Sequence, residues 1–443
     1  MPEAIRTLEA TTMKRVMFRV VPLLIVCYIV SYLDRVNVGF AALTMNQELG
    51  FSTAVYGLGA GIFFLTYFLF EVPSNLMLHR FGARRWIARI MLTWGVLSGA
   101  MGLIPEIAAA TGLAHETVFY LLRLLLGAAE AGFFPGVIFY LTLWFPSAFR
   151  ARVVGYFMTA LPFSSVIGAP LSGWLLGMGN VGGLSSWQWL FILEAIPALI
   201  LAVVVLKYLT DRPEQAHWLE PAQRQWLAGR LAEEAASMSG RGGHSVFKTL
   251  THPMVLLLGL VYFSVVYMNY TLGFFLPTII REFGLSTLQT GLVAAIPPIV
   301  GTVAMVLWGR RSDRHGERKW HLVFALAVGA SCFAAAALVQ SPVLMMLCFA
   351  VAAFGIYGCQ PVFWTLPGSF LSGGAAAAGI ATINALANLS GFLGPSVMGW
   401  IKTTTGSFSP GLLLAAGMAA LATLLVASFG RERFPVRASA VEQ

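Results

Sequence analysis

Two short polar loops, "NLMLHRFGARRW" (Asn75–Trp86) and "GRRSDRHGERKW" (Gly309–Trp320), decide how this chain is folded. Arg80, Gly82 and Arg85 of the first match Arg314, Gly316 and Lys319 of the second at an offset of 234 residues. A second pair, "IGAPLSGW" and "LGPSVMGW", places Gly168, Gly173 and Trp174 over Gly394, Gly399 and Trp400 at an offset of 226. Two offsets so close, with a few loop residues gained or lost between them, indicate an internal duplication. Chance similarity between apolar segments is the alternative.

Around these loops the sequence is oily. The chain of 443 residues is 58% hydrophobic and 11% charged, where a soluble domain carries roughly 25% charged residues. A bilayer span needs about 20 mostly apolar residues. Twelve segments qualify: 18–43, 54–78, 87–105, 117–145, 153–178, 187–209, 253–280, 287–309, 321–340, 343–370, 376–401 and 409–429. The expected fold is therefore an all-α membrane protein of twelve transmembrane helices in two six-helix bundles, 1–209 and 253–443. They are joined by the one long polar stretch, 210–252. Within it Pro221 opens a short amphipathic helix whose Trp226, Leu227 and Leu231 face the membrane or the bundle. The part holding Gly240, Gly242 and Gly243 reads as a flexible linker.

Lysine and arginine gather on one side of these spans, including Arg84, Arg310, Arg311, Arg318 and Lys319 beside the loop residues already named. Cytoplasmic loops hold that excess, so both termini are expected in the cytoplasm, as an even number of spans requires. The net charge of +9 thus reports topology, and no nucleic-acid partner is expected. Cys27, Cys332, Cys348 and Cys359 all lie in spans without paired spacing, which excludes a disulfide framework and a zinc site. No cleavable signal peptide is expected: the apolar run after Arg15 is too long and lacks a small-residue cleavage site.

Six ionisable groups lie inside the spans: Asp34, Arg35, Glu71, Arg123, Glu130 and Glu194. Each costs about 2.5–3.5 kcal/mol near the centre of an inserted helix, so such groups face a cavity and usually pair. Arg123 and Glu130 are seven residues apart on one face of span four, a rise of about 10 Å. Asp34 and Arg35 diverge by about 100° around span one, and the four groups are expected to share one cavity. Low dielectric favours a protonated carboxyl and a neighbouring arginine favours an ionised one. Protonation of Asp34 or Glu130 would then free an arginine to hold an incoming carboxylate in a two-pronged fork. Anion and proton would assist each other's binding, as symport requires. A static ion-pair cluster that fixes helix packing is the competing reading. Glu71 is read as a structural or gating contact and Glu194 as structural. Polar groups that face the same space are Tyr267, Asn269 and Tyr270 in span seven, Gln360 and Trp364 in span ten, and Asn384 and Asn388 in span eleven.

The duplicated six-helix plan resembles the major facilitator superfamily, and "GRRSDRHGERK" is similar to its cytoplasmic loop signature G-x-x-x-D-R-x-G-R-R. The first copy departs from that signature, with Asn75 for the glycine and His79 for the aspartate. "YLDRVNVGFA", "FFLTYFLFEVPSNLMLHRFGARRWIARIM", "TDRPEQAHWLEP" and "FWTLPGSFLSGGAAAAGIATINALANLSGFLGP" together resemble the anion:cation symporters, carriers of tartrate, sugar acids, phthalate and hydroxyphenylacetate. The resemblance implies proton coupling at Asp34 and Glu130 and substrate binding by Arg35, Arg123, Tyr32 and Tyr67. It implies gating by Arg80, Gly82, Arg85, Asp313, Arg314 and Gly316. Where sugar-acid carriers of that family place hydroxyls before the span-ten tryptophan, this chain has Pro361, Val362 and Phe363. That favours a small dicarboxylate or an aromatic acid.

The expectation is a monomeric, proton-coupled importer of a small organic acid in a bacterial inner membrane, with no cofactor or metal and the proton as coupling ion. An exchanger or exporter, or a sugar-acid symporter on the same fold, is the alternative; a non-transporting nutrient receptor is a third class. No metal-ligand spacing, nucleophile elbow or Walker loop marks an enzyme.

Overall fold

In hydrocarbon every backbone N–H and C=O must be satisfied within its own segment, so the apolar runs become helices. The computed structural model describes residues 3–239, 251–367 and 373–428, and apart from an isolated bridge between Val181 and Leu184 their regular structure is helical. Gly240, Gly242 and Gly243 of the expected linker lie outside the described residues. Among the described residues the helices fall into twelve successive segments that correspond to the twelve expected spans. Four are interrupted without a sharp turn: the first (Glu3–Val36 and Val38–Leu49), fourth (His115–Glu130 and Phe133–Thr142), fifth (Ser147–Met158 and Ala160–Leu176) and eighth (Thr287–Ala294 and Ile296–His315). The others are Thr53–Phe81, Ala83–Met101, Ser186–Tyr208, Pro253–Arg281, Lys319–Leu338, Pro342–Phe363, Gly373–Thr405 and Ser409–Ser428. The third span ends at Met101 and turns by 82° into the short helix Ile104–Thr111.

Helix entry repeats with the sequence. Ser52 accepts a hydrogen bond from the Val55 N–H at the start of the second span, and Ser286 accepts one from the Gln289 N–H at the start of the eighth, 234 residues later. These caps lie on the face opposite the basic loops. On that same face the two halves close. A Cβ built on Gly57 would stand 3.0 Å from Gly399 Cα, and one built on Gly291 would stand 3.0 Å from Gly173 Cα. Nearby, Ala54 N–H donates to Thr403 Oγ1 at 2.9 Å and the Tyr56 hydroxyl to the Phe274 carbonyl at 2.8 Å. Among the described glycines, those that touch the other half lie between mid-depth and this face.

The amphipathic helix Pro221–Ser239 belongs to the first half. Its Leu227 is buried while Trp226 and Leu231 pack beside it, so the stripe faces the bundle. Arg15 pairs with Glu220 and donates to Gln223, and Glu234 accepts from the Ser147 N–H and hydroxyl at the start of the fifth span. A carboxylate at a helix N-terminus satisfies orphan donors and suits the helix dipole.

Candidate functional site

Two of the three interruptions in the first half fall beside intramembrane charges. The fourth span stops at Glu130; Ala131 leaves the helix and Gly132 takes φ 84° before the chain resumes at Phe133. Gly132 is required twice over, because a side chain there would be strained at that φ and would also strike Ser74. The first span is interrupted at Asn37, two residues after Arg35 and three after Asp34.

Across these two breaks Arg35 Nη2 and Glu130 Oε1 form a close ion pair, with Arg35 7% and Glu130 1% exposed. The same carboxylate oxygen accepts from the Ser31 hydroxyl at 2.9 Å. Arg35 Nη1 donates to the Tyr270 hydroxyl at 3.5 Å, which brings the second half to the pair. The guanidinium also lies over aromatic rings, 5.0 Å from the Tyr67 centroid, 5.4 Å from Phe63 and 6.0 Å from Tyr32. Tyr32 in turn accepts from the Asn269 amide at 3.0 Å. Ser31, Arg35, Tyr270 and Asn269 thus join the two halves at mid-depth around one buried pair. Beside Tyr32 and Asn269 is a cavity of about 60 Å³, also lined by Ser165, Pro277 and Tyr357.

The four expected charges do not share a single space. Asp34 turns away from Arg35, and its Oδ2 accepts from the Trp94 indole at 2.7 Å. Adjacent positions on a helix diverge, so this separation follows from geometry. Arg123 differs too: it does not meet Glu130, but donates to the carbonyls of Gly59 and Ala60, both at 3.0 Å, and lies over Phe63. Those carbonyls become available because Gly59 has no side chain where the Phe119 ring passes. In this conformation Arg123 is a clamp between the second and fourth spans.

In the second half, Trp364 meets the Tyr262 ring edge-on at 4.9 Å, and Phe363 stacks on the same ring at 4.8 Å. Val362 and Phe363 are fully buried, so the hydroxyl-poor segment turns into the bundle. Gln360 is 6% exposed, and Asn384 and Asn388 are half-buried. Glu71 is half-buried, its carbonyl accepting from the Asn75 amide at 3.0 Å. Ser31 and Trp94 were absent from the sequence reading. Ser31 had a signal, four residues before Arg35 and so on its face; Trp94 had none, being one tryptophan in an apolar run.

The loop residues separate into two designs. In the second repeat Asp313 pairs with Arg318 of its own loop at 2.7 Å, and Gly316 ends the helix at φ 61°. In the first repeat His79 packs on Phe139 with ring centroids 4.0 Å apart. The carboxylate comes instead from Asp211, beyond the sixth span, which accepts from the Arg84 N–H at 2.8 Å and lies against Gly82. Arg84 and Arg318 are themselves 234 residues apart, so equivalent arginines find aspartates from different places. Arg80, Arg85 and Arg314 are exposed on the basic face.

The sequence matches the Major Facilitator Superfamily over residues 24–267 and 258–443. It is 51% identical to a putative tartrate transporter of Agrobacterium vitis over 424 residues, covering 96% of this chain and 92% of that one. It is 43% identical to a quinolone resistance transporter of Acinetobacter baumannii over 91% of each chain. Its fold is similar to that of a bacterial homologue of the human lysosomal transporter Spinster in an inward-facing, occupied conformation. The TM-score is 0.76 and the identity 16%, over 95% of this chain and 98% of that one.

Proposed function

Because this chain belongs to the Major Facilitator Superfamily, we propose that it imports a small organic anion by proton symport through alternating access. It is a multi-pass membrane transporter of organic acids and not an enzyme. The observation that carries the finer reading is the buried Arg35–Glu130 pair at the meeting of both halves. A proton on Glu130 removes the countercharge of Arg35, and the freed guanidinium offers its fork to a substrate carboxylate. Ser31, which already donates to Glu130 Oε1, leaves the other oxygen to take the proton. Tyr270, Tyr67 and Tyr32 stand around the place the carboxylate would occupy. Asp34, buried without a cation, is the second proton site of this reading. Arg35 and Tyr32 with the span-seven polar groups define a small binding space, which supports a dicarboxylate such as tartrate or an aromatic acid. With the basic face in the cytoplasm of a bacterial inner membrane, the close glycine contacts lie on the outward side, and the protein acts as a monomer without a bound cofactor.

The test is proton entry into proteoliposomes loaded with a pH dye, with tartrate, phthalate, hydroxyphenylacetate and galactonate added singly. Substrate-triggered acidification that Glu130→Gln abolishes is expected. Exchange of one acid with its own labelled pool, with no proton movement, would make the protein an antiporter or uniporter.

The relative named for quinolone resistance supports a second reading, in which the same fold exports its substrate. Accumulation of labelled tartrate against its gradient under an inward proton gradient decides for import; proton-driven extrusion decides for export.

A further inference from the structure

On the side of the first span turned away from Arg35 lies a second buried acid group. Asp34 is 2% and Glu194 3% exposed, and Asp34 lies in the field of Glu194. Each has one oxygen committed. Trp94 donates to Asp34 Oδ2, and the Ser172 hydroxyl donates to Glu194 Oε1 at 2.7 Å. Each has the other left over: Asp34 Oδ1 and Glu194 Oε2 have no hydrogen-bond partner within the protein. Ser98 lies beside the Asp34 carboxyl and Asn37 beside the Glu194 carboxyl; both residues are 1% exposed, and neither contact reaches ordinary hydrogen-bond geometry.

The sixth span packs on the first, third and fifth; Asp34 of the first lies within the field of Glu194, while Glu48 of the same span is held by the Ser185 hydroxyl and the Trp187 indole at the start of the sixth. Arg35 and Glu130 pair on the far side of the first span, and Glu106 is held by Gln188 near the opposite face. An ionised carboxylate buried without a cation is costly, whereas a protonated one carries an O–H donor for a neighbouring amide or hydroxyl.

We propose that Glu194 is a proton-binding group of the transport cycle, taking a proton on Oε2 while Ser172 holds Oε1. The inference rests on the symport reading and adds one proton to it. Asn37 is the residue at which the first span is interrupted, two positions after Arg35. When Arg35 exchanges Glu130 for a substrate carboxylate, the same stretch of the first span moves, and with it the amide beside the Glu194 carboxyl. The proton then leaves Oε2 for water, so binding and release involve one O–H bond and no other reactant.

The experiment is the reversal potential of tartrate transport in proteoliposomes, paired with infrared difference spectra of the protonated-carboxyl stretch during a pH titration. Glu194→Gln is expected to move one proton fewer per anion and to lose one protonated-carboxyl band. An unchanged proton count, with every band intact, would falsify the proposal and leave Glu194 a packing residue. A sodium requirement in the wild type that Glu194→Gln removes would also overturn it, assigning these oxygens to a metal cation. If the wild type moves no proton with any acid, the symport reading fails, and the infrared band alone decides whether Glu194 holds a proton. Should Glu194→Gln fold poorly, Ser172→Ala replaces it. Removing the donor to Oε1 is expected to shift the pH at which that band titrates; no shift overturns the assignment.

Discussion

Gly57 of the second span meets Gly399 of the eleventh, and the contact recurs with both partners exchanged between the halves. Gly291 lies 234 residues after Gly57, Gly173 lies 226 before Gly399, and these two meet in the same way. The neighbouring carbonyls follow suit: Pro395 faces Gly57 as Ala169 faces Gly291, and Thr53 faces Gly399 as Thr287 faces Gly173. The two offsets in the sequence are therefore the two arms of one pseudo-twofold closure. Small residues let membrane helices approach until backbones touch.

Overfilling this contact opens it. Gly57→Val and Gly291→Val each force about 1–3 kcal/mol of strain into the closed face, which shifts the conformational balance by roughly 5–150-fold. Labelling of a cysteine introduced at Thr53 by a membrane-impermeant thiol reagent is expected to rise in both variants. Labelling equal to that of the unfilled protein would show that these glycines do not hold the closure.

Arg35→Lys keeps the charge but loses the fork. Its expected result is a loss of tartrate affinity of at least about tenfold, one two-pronged hydrogen bond to a charged group being worth roughly 1.5–3 kcal/mol. Isothermal titration with purified protein measures this. Affinity within a factor of two of the wild type would remove Arg35 from the binding site.

Arg123→Lys separates the clamp from the site. The carbonyls of Gly59 and Ala60 each lose a donor of fixed geometry, so the melting temperature in detergent is expected to fall. The tartrate Kd is expected to change less than in Arg35→Lys. The reverse ranking would place Arg123 against the substrate.

The two basic loops respond unequally to loss of their aspartates. Asp211→Ala removes the acceptor at the start of the third span, a change of about 0.5–2 kcal/mol for a helix cap. Asp313→Ala breaks an exposed pair with Arg318, where such pairs contribute about 0–1 kcal/mol. Thermal unfolding of the two variants should rank Asp211→Ala as the more damaging.

Acid is expected to loosen the start of the ninth span. Burial pushes the Glu317 carboxyl upward, but hydrogen bonds from the Trp320 and His321 N–H groups and from the His321 ring outweigh it and hold the group below its ordinary value. A depressed carboxylate contributes stability that is present above its unfolded value of about 4.3 and is lost as pH falls through the folded one. Protection of the Trp320 and His321 amides, measured against intrinsic exchange at each pH, should therefore begin to fall as the pH drops below the unfolded value and be lost through the folded one in the wild type. Glu317→Ala should show fast exchange already at neutral pH.

Twelve spans and their division into two repeats followed from composition and periodicity, because a bilayer allows few ways to satisfy a backbone. The six intramembrane charges were legible for the same reason: each is too costly to be casual. Which of them meet was not legible. Arg35 finds Glu130 while its neighbour Asp34 finds Trp94, Arg123 finds carbonyls, and Asp211 stands where His79 leaves a vacancy in the first loop. Those choices depend on side-chain direction at the breaks at Asn37 and Gly132 and on the closeness that Gly59 permits. A sequence records the residues that carry charge; the packing of helices decides which charges are neighbours.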